Sequence, residues 1–331
     1  MKALIIGGGN IAGIHCMVFR SLGVELAGVC DLNIDAASAL TEEYGGTAYC
    51  DVDEALLQDI DFAVICTPSG THAELAIKAM EMGKNVVVEK PLALTAADVD
   101  KVLETVKRTG KTCAVVSQLR FSDSYIKIKE ALDRGELGTI VMSSLSMKYF
   151  REKSYYISAW KGTKKMDGGE LMNQGLHGVD VMCGLLGAPV SVAGKVATRY
   201  HSIEAEDTAV AHLAFENGSI GTIDSSTAVR FSKDRRLEIC GTKGLIVLEE
   251  DKITLAEGVD IEENKEGNEY SGSSNPMDIG TTLHTRLYKN ILAAFEGKET
   301  LYYTASDAAT TVKVICGIYE SSETGKAIEI R

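Results

Sequence analysis

The chain lacks most of what would mark a secreted, membrane or nucleic-acid-binding protein. None of its eight cysteines (Cys16, Cys30, Cys50, Cys66, Cys113, Cys183, Cys240, Cys316) is spaced as C-x-x-C, and no histidine cluster accompanies them. Several lie inside apolar runs, where a thiol behaves as a small hydrophobe. A disulfide framework and a zinc site are therefore not expected, and no metal is. Basic residues are in deficit, 34 against 47 acidic ones, for a net charge of −13. A phosphate backbone needs a basic face, so nucleic acid is not an expected partner. No apolar run approaches a membrane span. The N-terminal run is only Ala3-Leu4-Ile5-Ile6, which reads as a first strand and not as a signal peptide. The expected compartment is the cytoplasm, with no membrane partner. There is no internal repeat, and Trp160 is the only tryptophan.

What is present begins immediately after that strand. Gly7-Gly8-Gly9-Asn10-Ile11-Ala12 is a G-x-G-x-x-A turn that opens into a helix, and a second apolar run, Val24 to Cys30, ends at Asp31. Gly7 lets the chain turn tightly, Gly9 lets a pyrophosphate approach the backbone, and Ala12 lets the helix pack closely on the sheet. The N–H groups of Asn10 and Ile11 at the helix start face the phosphates. Asp31 accepts from the adenosine ribose hydroxyls and repels a 2′-phosphate, so NAD is expected over NADP.

At 331 residues, with 45% hydrophobic and 24% charged residues, the chain suits two globular domains. Residues 1–119 alternate short strands with helices, including buried runs at Asp61 to Cys66, Asn85 to Val88 and Thr112 to Ser117. That pattern means α/β, with a doubly wound parallel sheet. From 120 to 331 the character changes. After the helix Asp123 to Arg134, strands are expected at Ile140–Tyr149, Val190–Tyr200, Thr208–Phe215, Ser219–Ser226, Arg235–Cys240, Gly244–Glu249 and Lys252–Ala256. A helix, Asn173 to Leu186, lies between the first two. Asn217-Gly218 is a hairpin signal. The C-terminal domain is thus α+β with a mostly antiparallel sheet. Glu257 to Asn275 reads as a surface loop, and Thr282 to Gly297 and Ala305 to Thr324 as helices.

Two segments carry chemistry. Glu89-Lys90-Pro91 follows a strand directly, at the end where doubly wound sheets bind ligands, and proline holds Lys90 out of the helical region. Further on, Gly168-Gly169 precedes Asn173, His177 and Asp180. Asn173 and His177 are four apart and share a helix face; Asp180 is placed to orient the imidazole.

On these motifs the chain resembles the glucose–fructose oxidoreductase / inositol dehydrogenase family, also called Gfo/Idh/MocA. The resemblance rests on Gly7 to Ala12, Thr67-Pro68 with His72, Gly83 to Pro91, Gly168-Gly169 through His177 and Asp180, and Tyr319 to Lys326. It implies an N-terminal Rossmann domain and a C-terminal domain whose open sheet forms homodimers or homotetramers. It also implies NAD-dependent hydride transfer at a secondary hydroxyl carbon of a small-molecule polyol, sugar or sugar nucleotide. Lys90 and His177 are the expected catalytic pair, with Asn173 beside them. Either could be the base, the other steadying charge on the substrate oxygen. Many members carry Asp where Asn173 stands; an amide binds a hydroxyl but takes no proton. Gly7, Gly9, Asn10, Ile11, Ala12, Asp31, Thr67, Pro68, His72, Glu89, Lys90 and Gln118 are expected to line the cofactor. Lys90, Trp160, Lys161, Asn173 and His177 are expected to bind substrate, with Tyr155 and Tyr156 nearby. Arg120 reads equally as a site residue or a salt-bridge partner at the domain interface. Cations at Arg151, Lys153, Lys161, Lys164 and Lys165 hint at an anionic substrate. Two other activities fit the same motifs: a glycosidase working through transient oxidation, and a non-catalytic NAD- or sugar-sensing regulator.

Overall fold

The computed structural model describes residues 1–231, 235–261 and 280–330. It falls into two compact units. The first comprises Met1–Gln118 and residues 280–309; the second comprises residues 119–261 and Thr310 to 330.

In the first unit, β1 (Lys2–Ile6), α1 (Asn10–Leu22), β2 (Glu25–Cys30), α2 (Ile34–Tyr44), β3 (Thr47–Tyr49), α3 (Val52–Leu56), β4 (Phe62–Ile65), α4 (His72–Glu81), β5 (Asn85–Val88), α5 (Ala96–Thr109) and β6 (Cys113–Val115) alternate as expected. The six strands are parallel in the order β3-β2-β1-β4-β5-β6. The chain builds outward from β1 in one direction and then returns to build in the other, so the crevice beside β1 is the switch point where such sheets take ligands. Phe62-Ala63-Val64-Ile65 and Val86-Val87-Val88 are wholly buried, the pattern of strands covered on both faces.

In the second unit, α6 (Asp123–Asp133), β7 (Ile140–Lys148), α7 (Leu176–Leu186), β8 (Pro189–Ala197), β9 (Thr208–Phe215), β10 (Ile220–Ser226), β11 (Arg236–Gly241), β12 (Leu245–Glu249) and β13 (Lys252–Glu257) follow in order. With β14 (Ile328–Glu329) they make an eight-stranded sheet, β13-β12-β11-β7-β10-β9-β8-β14. Its pairs are antiparallel except β7 with β10. Asn217-Gly218 closes the hairpin between β9 and β10, with Gly218 at φ 83°.

Two expectations need correction. The second domain is not continuous from 120 to 331, because α8 (Thr282–Phe295) belongs to the first unit. Its Tyr288 hydroxyl meets His15 Nδ1 at 2.7 Å, and its ring stacks edge-on against Phe19 at 5.2 Å. Burying that aromatic cluster is what draws the helix back. α9 (Ala305–Thr324) then carries the chain into the second unit from Thr310. The helix expected to begin at Asn173 begins earlier, with a π-helical turn over Leu171–Gly175 that runs into α7. Of the loop expected at Glu257 to Asn275, residues 262–275 lie outside the described residues.

Candidate active site

The cofactor residues sit at the carboxyl ends of the parallel strands. Gly7 follows β1 at φ 102°, and a Cβ there would lie 2.6 Å from the Cys66 carbonyl carbon. Only glycine fits such a turn. Gly9 is the N-cap of α1, with no side chain capping the helix, and a Cβ on it would meet nothing within 4 Å. Open space over uncapped helix N–H groups is the cradle a pyrophosphate needs. Asp31 is fixed before any ribose arrives: Gly8 N donates to Oδ2 at 2.7 Å and Asn33 N to Oδ1 at 2.8 Å. Each oxygen keeps a second lone pair for a ribose hydroxyl. Leu32 beside it is 97% exposed, an apolar side chain offered to solvent at the lip of the site. Gln118, after β6, is buried with Oε1 lacking any hydrogen-bond partner. A buried orphan acceptor at this strand end fits an amide donor such as a carboxamide. The residues present therefore fit NAD.

His72 and Glu89 differ from expectation. The His72 ring is buried and bridges two carbonyls, Pro91 O at 2.7 Å from Nδ1 and Thr67 O at 2.8 Å from Nε2. Burial pulls its pKa down, against the pull of those carbonyls. Both ring nitrogens are engaged, so it ties the Thr67-Pro68 turn to Pro91 and presents no nitrogen to a cofactor. Thr67 Oγ1 meets Thr71 Oγ1 at 2.7 Å, which shapes that turn. The Glu89 carboxylate faces inward to His15 Nε2 at 3.0 Å and accepts from Lys90 N at 3.2 Å. Burial alone would raise its pKa, yet the hydrogen bond and charge of His15 hold it below the usual value. Glu89 thus anchors the strand end from which half-buried Lys90 projects, in a chain Tyr288–His15–Glu89 that the motif did not reveal.

The second unit assembles its own polar cluster before α7. Asn173 Nδ2 donates to Asp167 Oδ1, and Asn173 Oδ1 accepts from Gln174 Nε2 at 3.1 Å. Gln174 Nε2 also donates to the Tyr155 hydroxyl at 3.0 Å, and Gln174 Oε1 accepts from Arg151 Nη2 at 2.8 Å. Asp167 Oδ2 accepts from Gly162 N at 2.7 Å, closing the loop that carries Trp160 and Lys161. Lys161 Nζ lies 3.6 Å from the centre of the Tyr155 ring and 5.8 Å from that of Trp160. Tyr155, Tyr156, Asp167, Glu170, Asn173 and Gln174 line a pocket. His177, half-buried, follows in the first turn of α7.

Two buried acids of this region, Glu170 and Glu206, were not foreseen from the sequence. The buried Glu170 accepts from Ser225 at Oε1, while its Oε2 has no partner. Glu206 accepts from Leu171 N at 2.9 Å and the Tyr319 hydroxyl at 2.8 Å. Burial pushes Glu170 well above the carboxyl range and Glu206 up to about 7. The only signal was Glu170 standing directly after the glycine pair. Asp180 also has a role not foreseen: Arg120 grips its carboxylate through Nε at 2.9 Å and Nη2 at 2.8 Å, and Thr311 Oγ1 adds a third bond at 3.0 Å. Arg120 is thereby a buried salt-bridge partner inside the second unit.

Comparison with known proteins gives consistent matches. Residues 1–117 match the model of the oxidoreductase family with an NAD-binding Rossmann fold, and residues 125–247 match the GFO/IDH/MocA C-terminal domain. The chain is 30% identical to the myo-inositol 2-dehydrogenase of Thermotoga maritima, over 74% of each chain. It is 29% identical to the scyllo-inositol 2-dehydrogenase (NAD(+)) of Bacillus subtilis, over 75% of this chain and 73% of that one. Among solved structures, the WlbA dehydrogenase of Bordetella pertussis, in complex with NADH and UDP-GlcNAcA, superposes with a TM-score of 0.90 at 26% identity, over 100% of this chain and 99% of that one.

Proposed function

The chain belongs to the GFO/IDH/MocA oxidoreductase family, and from that premise we propose that it moves a hydride between NAD and the secondary hydroxyl carbon of a sugar, an inositol or a sugar nucleotide. The observations that carry this reading are an NAD cradle and a preorganised polar pocket within one chain: the open space at Gly9 and the fixed Asp31 in one unit, and the Asp167–Asn173–Gln174–Tyr155 network in the other. NAD supplies the hydride acceptor. The protein supplies proton transfer and charge. His177 takes the hydroxyl proton, since an ordinary imidazole titrates at ~6.5 and an ordinary lysine at ~10.4. The Lys90 ammonium steadies developing negative charge on the oxygen. Asn173 holds a neighbouring hydroxyl.

The pH dependence of kcat/KM in His177→Ala and Lys90→Met tests the assignment. Loss of the acidic limb in His177→Ala alone supports it. An unaltered acidic limb there transfers the base to Lys90. Stoichiometric NADH formation separates net oxidation from a glycosidase, which would leave NAD unchanged, and from a regulator, which would turn over nothing.

We also propose that the C-terminal sheet joins two copies of the chain. Met142, Val210 and Ile220 are exposed on one face of its neighbouring strands, an apolar patch that suits a partner. Light scattering of the purified protein checks this; a monomer at micromolar concentration refutes it. The described cysteines form no disulfide, which suits a reducing cytoplasm.

A further inference from the structure

Two cations of the second unit share one aromatic ring. The Arg151 guanidinium carbon lies 5.4 Å from the centre of the Tyr155 ring, and Lys161 Nζ lies 3.6 Å from it. Among the described residues neither makes an ion pair. Arg151 is only 8% exposed; its Nη2 donates to the pocket residue Gln174, and its Nε is buried with no hydrogen-bond partner.

Arg120, in the same unit, shows what such an edge does when satisfied, since its Nε and Nη2 grip both oxygens of Asp180. The equivalent edge of Arg151 ends on one neutral amide. Leaving a buried guanidinium N–H unmade is costly, and arginine is the residue that matches planar carboxylate and phosphate groups. The local acids do not neutralise the pair. Asp167 has one oxygen on Asn173 and the other on Gly162 N. Burial pushes the Glu170 carboxyl up, against its ionised form. Two cations thus face one committed carboxylate, and burial pulls the pKa of Lys161 down although the Asp167 charge pulls it up.

We propose that Arg151 and Lys161 are the anion-recognition part of the substrate site, so that the sugar oxidised carries a carboxylate or a phosphate. The inference rests on the sugar-dehydrogenase reading above and narrows its substrate class. Tyr155 serves as the platform that fixes both cations, and Gln174 sets the arginine's orientation.

Calorimetric titration of the NAD-loaded protein tests it, with myo-inositol as the neutral probe, glucuronate as the carboxylate, and glucose 1-phosphate and UDP-glucose as phosphates. At least one anionic probe is expected to bind on the order of 10- to 100-fold tighter than the neutral one, as charge-assisted hydrogen bonds allow. Arg151→Lys and Lys161→Met are each expected to cut that ratio roughly tenfold. The carboxylate and phosphate arms identify which group is read. No anionic preference in the wild type, or a preference that survives both substitutions, overturns the proposal. Binding separates it from the catalytic reading: anion-selective binding with no NADH from any probe supports this site and sinks hydride transfer. NADH formation from myo-inositol with kcat/KM at least equal to the anions sinks this site alone.

Discussion

The Asn173 amide donates to the Asp167 carboxylate, six residues upstream, across the lip of the candidate substrate pocket. Asn173 is thus an amide with an acid already standing beside it. Asn173→Asp would set two carboxylates within hydrogen-bond reach, and such pairs share a proton, with one pKa strongly raised. The substitution is therefore expected to lower kcat/KM about tenfold above neutral pH, with less effect at pH 6. Adding Asp167→Asn restores a donor–acceptor pair and should recover activity beyond the sum of the single effects. A steady-state profile from pH 6 to 9 on the three variants checks this; an Asn173→Asp enzyme as active as wild type at pH 8 refutes it.

Gly7 and Gly9 belong to one motif but should fail differently. Alanine at Gly7 takes a positive φ and drives its Cβ into the Cys66–Thr67 backbone. Strain alone costs about 1–3 kcal/mol and the collision adds to it, so Gly7→Ala is expected to lower the denaturation midpoint sharply. At Gly9 φ is −75° and the Cβ meets open space. Gly9→Ala should fold with stability within about 1 kcal/mol of wild type, yet weaken NADH binding roughly tenfold or more by filling the pyrophosphate's approach. Urea melts and NADH fluorescence titration on both variants separate the two effects.

The Arg120–Asp180 pair gives a stability prediction within the second unit. Both side chains are buried, so removing one leaves the other's charge uncompensated. Asp180→Ala should cost about 3–5 kcal/mol, whereas Arg120→Met with Asp180→Leu should cost less than either single change. Urea unfolding measures it. Near-additive losses in the double variant would show that the ion pair is not the source.

Much of this architecture was legible in the residue order. The first unit announces itself because its central strands are continuous buried runs that alternate with helices. Val86-Val87-Val88 into Glu89-Lys90 is the plainest case. The seven main strands of the second unit were legible from alternation and from Asn217-Gly218. Three features were not. The return of α8 rests on a tertiary contact, Tyr288 on His15 and Phe19, with Tyr288 and His15 273 positions apart and no local signature. The inward turn of Glu89 and the double engagement of His72 arise because buried polar groups take partners from wherever the fold supplies them. Asp180 looked like a histidine partner at i+3, and its grip by the guanidinium of Arg120, far away in sequence, had no local signal.

Glu206 carries the pH prediction. Its folded pKa, about 7, exceeds the ordinary 4.5 because burial penalises the charged form. Between those two values the native state binds the extra proton, so stability falls as pH rises from about 4.5 through 7. Above that window the full cost is present, on the order of 3 kcal/mol. Glutamine keeps an acceptor for Leu171 N and the Tyr319 hydroxyl without ever ionising. Glu206→Gln is therefore expected to raise the melting temperature at pH 8 by several degrees and to change it little at pH 5. Subtracting wild-type melts cancels groups of opposite sign, such as His284, whose pKa burial lowers to about 4. Calorimetric scans of both proteins at half-unit steps decide it: a stability difference that does not grow with pH would mean the carboxyl is not buried as described.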